Sequence, residues 1–152
     1  MSVQAHKLKQ LIDQGATFIY ADQAELPAFM AKGTLFIRIP EGDSASFAHE
    51  MLTFCLDHQV DYVYPLRKKE IIALAEARQL FEEYHIKVIV PAKPQNICYS
   101  SSVPVNGTIL VLYHNFNLLK NEMTGVDKNI GTGVFVVGPH DDELRYCLYT
   151  AD

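Results

Sequence analysis

Three short apolar runs in this chain each end at a proline: residues 34–39 at Pro40, 61–64 at Pro65 and 86–90 at Pro91. Proline has no amide hydrogen to give a sheet and cannot continue an inner strand, so each reads as a strand closed at its carboxyl end. Two amphipathic stretches separate them. In the first, Phe47, Ala48, Met51, Leu52 and Cys55 fall on one helical face. In the second, from Lys68 to Tyr84, Leu74, Ala77, Phe81 and Tyr84 recur every three or four residues.

The pattern extends upstream. Residues 3–14 place Leu8, Leu11 and Ile12 at helical spacing, with Ser2 as N-cap and Gly15 as stop. Residues 16–21 are short, β-branched and aromatic, and read as a strand. Pro27 suits the first turn of a short helix ending at Gly33. Strands and helices therefore alternate, and the strands are nearly continuous apolar runs, as in sheets covered on both faces. With right-handed crossovers this predicts an α/β protein built on a three-layer, Rossmann-like parallel sheet over residues 1–94.

After Pro91 the texture changes. Residues 92–108 hold two prolines, three consecutive serines and Asn106-Gly107, and read as a long connection. Residues 109–113, 134–137 and 144–149 are strand candidates, the last two joined by a four-residue loop, Pro139 to Asp142. Residues 116–123 read as a short helix. The expectation is a C-terminal antiparallel β extension, residues 95–152, within a single domain.

A chain of 152 residues, 49% apolar and 20% charged, is long enough to bury its own core. The formal charge of −5 argues against a general nucleic-acid or anionic-membrane binder. Cys55, Cys98 and Cys147 form no CxxC pair and read as reduced thiols. With no signal-type apolar segment in MSVQAHKLKQ and no stretch near 18 apolar residues, they predict a cytoplasmic protein.

Val60-Asp61-Tyr62-Val63-Tyr64-Pro65, then Glu70, Leu74, Ala75, Arg78 and Phe81, then Ile86-Lys87-Val88-Ile89-Val90-Pro91, carry a family resemblance. Residues 34–94 resemble the pre-ATP-grasp domain that precedes the catalytic part of carbamoyl-phosphate-synthase-like ATP-grasp ligases, with His85 where that family usually has Gly. The resemblance implies a Rossmann-like fold and a domain that packs on a catalytic partner. About 60 residues follow Pro91, too few for the ATP-grasp fold, so its ligation chemistry and catalytic residues are not expected here.

In an open parallel sheet, ligands bind at the carboxyl ends of the strands. Asp22, Glu41, Asp43, Ser44, Arg67, Lys68 and Lys93 would lie there. Arg67, Lys68 and Lys93 would hold a carboxylate or phosphate at a helix N-terminus. The plainer reading makes Arg67 and Lys68 solvated loop charges, and Asp43 or Ser44 a helix cap. His114, beside Asn115 and Asn117, is a candidate general base or a structural histidine.

Gly131-Thr132-Gly133 precedes a strand instead of a helix, so it reads as a turn and not a phosphate loop. His140-Asp141-Asp142-Glu143 reads as a hairpin loop, because adjacent side chains cannot all converge on one metal. Cys98 is the candidate exposed thiol. Residues 124–129 read as a polar loop suited to a lid or an interface arm.

Two functions follow. The first is a non-catalytic binding or interaction protein, a stand-alone relative of the pre-ATP-grasp domain. Its partners would be a second copy of itself (a homodimer) or a separately encoded protein, docked in part through Tyr113, Tyr146 and Tyr149. The alternative is a small enzyme acting on an anionic metabolite at the strand ends. No metal, cofactor, nucleic acid or membrane is implied.

Overall fold

The computed structural model describes residues 2–12, 15–25, 35–123, 131–141 and 143–152. The helix expected between Pro27 and Gly33 and the polar loop at 124–129 lie outside the described residues. The elements run α1 (Val3–Ile12), β1 (Ile19–Asp22), β2 (Leu35–Arg38), α2 (Phe47–Asp57), β3 (Tyr62–Val63), α3 (Lys68–Glu83) and β4 (Lys87–Val88). After a 3-10 turn at Pro94–Asn96 come β5 (Cys98–Ser100), β6 (Thr108–Tyr113), β7 (Phe116–Asn117), β8 (Glu122–Met123), β9 (Gly133–His140) and β10 (Glu143–Tyr149).

The expected three-layer parallel sheet does not form. Among the described residues, parallel pairing in the first half is confined to two separate ribbons, β1 with β2 and β3 with β4. The main sheet comes from the second half, six strands in the order β5-β10-β9-β6-β7-β8, antiparallel except where β5 runs parallel to β10. The expected extension is the largest sheet among the described residues. Continuous apolar runs mark strands buried on both faces, but they do not fix strand direction. The longest fully buried run belongs to β9, an antiparallel strand.

Alternate residues of this sheet enter two different cores. Leu112, Phe135, Val137 and Leu148 join Phe47, Met51 and Cys55 of α2 and Ile71, Leu74 and Phe81 of α3. Ile109, Val111, Val134, Val136 and Tyr149 join Leu8 of α1, Leu66 and Ile89. Ile39 after β2, Leu66 after β3 and residues 88–90 at the end of β4 are thus drawn into the two cores that the β6–β9–β10 sheet shares.

Of the tyrosines expected to form a docking surface, Tyr149 is buried in the second core, and Tyr146 and Tyr113 pack half-buried against the first and second. Burial there answers the apolar character that suggested an interface.

Both long helices finish in the same way. The Val60 amide donates to the Cys55 carbonyl and Gln59 to Leu56; likewise Ile86 donates to Phe81 and His85 to Glu82. These are Schellman closures, which need a left-handed residue just past the helix and usually take glycine there. Here that residue is Gln59 at φ 52° and His85 at φ 61°. Gly15 follows α1 at φ 87°. At the other end of α1, Ser2 Oγ accepts the Ala5 amide as the expected N-cap.

Three local readings change. Residues 116–123 form the β7–β8 hairpin and not a helix, with Asn121 at φ 54° donating its amide to the Asn117 carbonyl. The β9–β10 ladder closes with Glu143 opposite His140, so the connection is two residues long instead of four. Cys98 and Cys147, read as reduced thiols, form a disulfide, because the parallel register of β5 and β10 sets them directly opposite each other with Cα atoms 4.7 Å apart. Cys55 remains a buried free thiol.

Replacing Gln59 or His85 with glycine is expected to stabilise the fold by roughly 1 kcal/mol each, by removing the left-handed penalty of a side chain. The two gains should be close to additive in urea titrations, since the sites close different helices. A second expectation concerns the thiols. Alkylation of the denatured, unreduced protein should label one cysteine and reduction should raise this to three, while the unfolding free energy falls by roughly 4 kcal/mol for a loop of this length.

Candidate functional site

A cleft of about 890 Å3 lies between the two ribbons, walled by β1 and β2 on one side and β3 with the N-terminal part of α3 on the other. Its lining is largely aromatic and aliphatic, including Ile19, Tyr20, Phe36, Phe54, Tyr62 and Tyr64. Tyr20 stacks on Phe36 at 5.2 Å, and Tyr62 on Tyr64 at 6.1 Å. Burial, with the nearby Tyr62, pushes the Tyr64 hydroxyl well above its usual pKa, so it stays protonated.

At one end of this apolar space sits a polar cluster. β1 terminates at Asp22, whose Oδ1 accepts the amide of Ala24 at 3.1 Å, an Asx turn that ends the strand. Arg67 stands at the N-cap of α3 in extended conformation, and its side chain makes no capping bond. Its guanidinium instead reaches back to Asp22 Oδ1 at 2.7 Å and to Glu70 Oε1 at 3.4 Å. Gln23 Nε2 also donates to Glu70 Oε1 at 3.4 Å. The loop after β2 closes in from the side: a Cβ on Gly42 would lie 2.6 Å from the Glu70 backbone nitrogen, so only glycine fits there.

The two carboxylates respond in opposite directions. Burial pushes Asp22 up, but the Arg67 hydrogen bond, the Ala24 amide and the Arg67 charge together outweigh it, and Asp22 titrates below its usual range. For Glu70 burial is the largest influence and prevails over the charge and hydrogen bond of Arg67, while Asp22 and Asp152 push the same way; its carboxyl titrates above the usual value. Arg67, disfavoured by burial, is held charged by Asp22 and Glu70.

The expected anion site is filled from within. The first amide of α3, on Lys68, donates to Asp152 Oδ1 at 3.1 Å, and the Ala151 amide donates to the Leu66 carbonyl. A carboxylate of the chain itself thus occupies the helix N-terminus where a ligand carboxylate or phosphate was expected. Lys68 extends away, its Nζ 5.6 Å from the centre of the Tyr99 ring. Lys93 is exposed and, with Lys68, lies outside the cleft lining.

Asp43 pairs with Lys69 on the far side of the loop. Ser44 Oγ lies 3.0 Å from Ser46 Oγ, and the N-cap of α2 is Ser46, so neither Asp43 nor Ser44 caps that helix. Glu41 is exposed beside them.

His114 belongs to the tight turn between β6 and β7. With Asn115 it occupies the two central positions at φ 49° and 64°, the type I′ geometry of a two-residue hairpin, and its amide donates to Thr132 Oγ1 at 3.0 Å. Of the residues singled out from sequence, the structure pairs Asp22 with Arg67 at this cleft and sets Asp43 and Ser44 beside Lys69 at a separate surface pocket. Glu70, Gln23 and Asp152 were missed as site residues. The Arg67–Glu70 spacing of three at a helix start was the available signal for Glu70; nothing local marks Gln23 or Asp152.

No family model matches this chain, and no curated protein matches it. No helix among the described residues is long and apolar enough to cross a membrane.

The buried Glu70 carboxyl gives a pH signature. Its folded pKa lies above the ordinary 4.5, so the folded state holds more protons than the unfolded state between those values, and stability falls as pH rises through that window. Asp22 acts oppositely: its contribution is present above 3.8 and is lost as pH falls through its lowered folded value. In Glu70→Gln the decline above pH 4.5 should disappear while the acid-side loss persists, as read from urea midpoints at a series of pH values.

Proposed function

We propose that this chain is a non-catalytic binding protein whose receptor is the cleft between the β1–β2 and β3–β4 ribbons. The observation that carries the reading is the cleft itself: about 890 Å3, mostly apolar and aromatic, with a paired Asp22–Arg67–Glu70 cluster on its lining. Ligand pockets have this size and texture, an apolar body that supplies affinity and a few polar groups that set orientation.

Asp22, Arg67 and Glu70 are paired with one another. Arg67 is engaged by two carboxylates and the N-terminus of α3 by Asp152, an arrangement suited to shaping a pocket rather than to moving a proton. Lys68 and Lys93 lie outside the lining of this cleft, so the anionic-metabolite enzyme finds less support there than a binding role. The resemblance of residues 34–94 to the pre-ATP-grasp domain accords with binding in place of catalysis, and it remains part of this proposal.

Nile red, a neutral apolar dye, should bind saturably at one site per chain with a blue shift in emission. Ala21→Trp, which places an indole at the cleft wall, should weaken that binding at least tenfold while leaving the circular dichroism spectrum unchanged. Absence of saturable binding, or a folded variant that binds as the parent does, would overturn the reading.

A further inference from the structure

The charges around the cleft name the ligand class. Its lining carries four carboxylates, Asp22, Glu25, Asp61 and Glu70, against two cations, Lys9 and Arg67, a formal charge of −2. Of the two cations, Arg67 is already engaged. Arg67 is bound on both arms by Asp22 and Glu70, and the Lys9 ammonium lies 5.5 Å from the centre of the Phe18 ring. An incoming carboxylate or phosphate would have to displace a resident carboxylate from Arg67 and face the remaining ones across the cleft.

Glu70 supplies a specific point of attachment. Its side chain is only 10% exposed, and Arg67 and Gln23 both address the same oxygen, Oε1. Among the described residues Oε2 accepts no hydrogen bond, yet it is not sealed off, since no fully buried side-chain polar atom lacks a partner. A lone acceptor at the polar end of an apolar cleft calls for a donor. The stacked Tyr20–Phe36 pair on the wall favours a flat or cationic group, whereas the Tyr62 ring, stacked on Tyr64, already has the Lys87 ammonium 4.8 Å from its centre.

Building on the reading of the cleft as a receptor, we propose that it takes a small organic cation: an aromatic or aliphatic body bearing a protonated amine, the ammonium donating to Glu70 Oε2. The amine is held by a charge-assisted hydrogen bond to a side chain only 10% exposed, while the body fills the space between the ribbons. The same contact rejects acids of equal shape.

Three probes of matched shape test this: phenethylamine, 2-phenylethanol and 3-phenylpropionate, each titrated calorimetrically and by displacement of Nile red from the full chain. Phenethylamine should bind at least tenfold more tightly than the alcohol, and the acid more weakly than either. Glu70→Gln, nearly isosteric and neutral, should bring the amine down to the level of the alcohol while leaving the alcohol's own affinity within about twofold. Asp22→Asn serves as a second variant should Glu70→Gln not fold, and it should lower amine affinity by a smaller factor.

If dye and alcohol bind at the cleft but the amine has no advantage, or Glu70→Gln leaves that advantage intact, the amine proposal fails and the receptor reading stands. If neither dye nor any probe binds, both fail.

Discussion

Everything in this fold rests on β9 being buried on both faces. Phe135 and Val137 point into the core made with α2 and α3, while Val134 and Val136 point into the core made with α1, Leu66 and Ile89. One strand therefore serves two apolar reservoirs, and the elements on either side are held by their grip on the same sheet. Burial of such side chains is worth roughly 1.5–3 kcal/mol each, more than the few backbone bonds of a two-residue ribbon can counter. The two-residue β3–β4 ribbon, with Val88 in the first core and Ile89 in the second, is thus positioned by side-chain burial more than by its own ladder.

The cleft is a consequence of that division of labour. β1–β2 and β3–β4 each satisfy their own pairing, and the space between them is lined by side chains instead of being closed by a ladder. Arg67 spans one end, joining the carboxylate that ends β1 to the one in the first turn of α3. The ion pairs lie at intermediate exposure, so their energetic contribution is modest and their geometric role is larger: they fix the separation of the ribbons at that end. The residues that maintain the cleft's width also give it its electrostatic sign.

The helices were legible because spacing alone marks an apolar face: Phe47, Met51, Leu52 and Cys55 are buried as a set, and Leu74 and Phe81 with them. Tyr84, at the end of the same periodic series, is half exposed, since the helix has already closed. That closure was hidden, because Gln59 and His85 hold positions usually marked by glycine; the substitution noticed at His85 fell on a left-handed backbone. Strand direction was not legible, as burial on two faces is common to parallel sheets and to the middle of a covered antiparallel one. Of the site, Asp22 and Arg67 were visible from their place after strands. Their pairing, and the arrival of Asp152 at α3, depend on contacts between residues 45 and 84 positions apart, which no local pattern encodes.

The Cys98–Cys147 bond has a topological side. It joins the first residue of β5 to a residue of β10, so nearly the whole six-stranded sheet is strung on a single covalent ring. The first ninety-odd residues hang from that ring as an open tail. A single cut of the backbone inside the ring leaves one connected molecule, whereas a cut in the tail releases a fragment. The two halves of the chain therefore differ in connectivity: one is a closed loop that holds the shared sheet, and the other is a linear segment that folds onto it and forms most of the cleft.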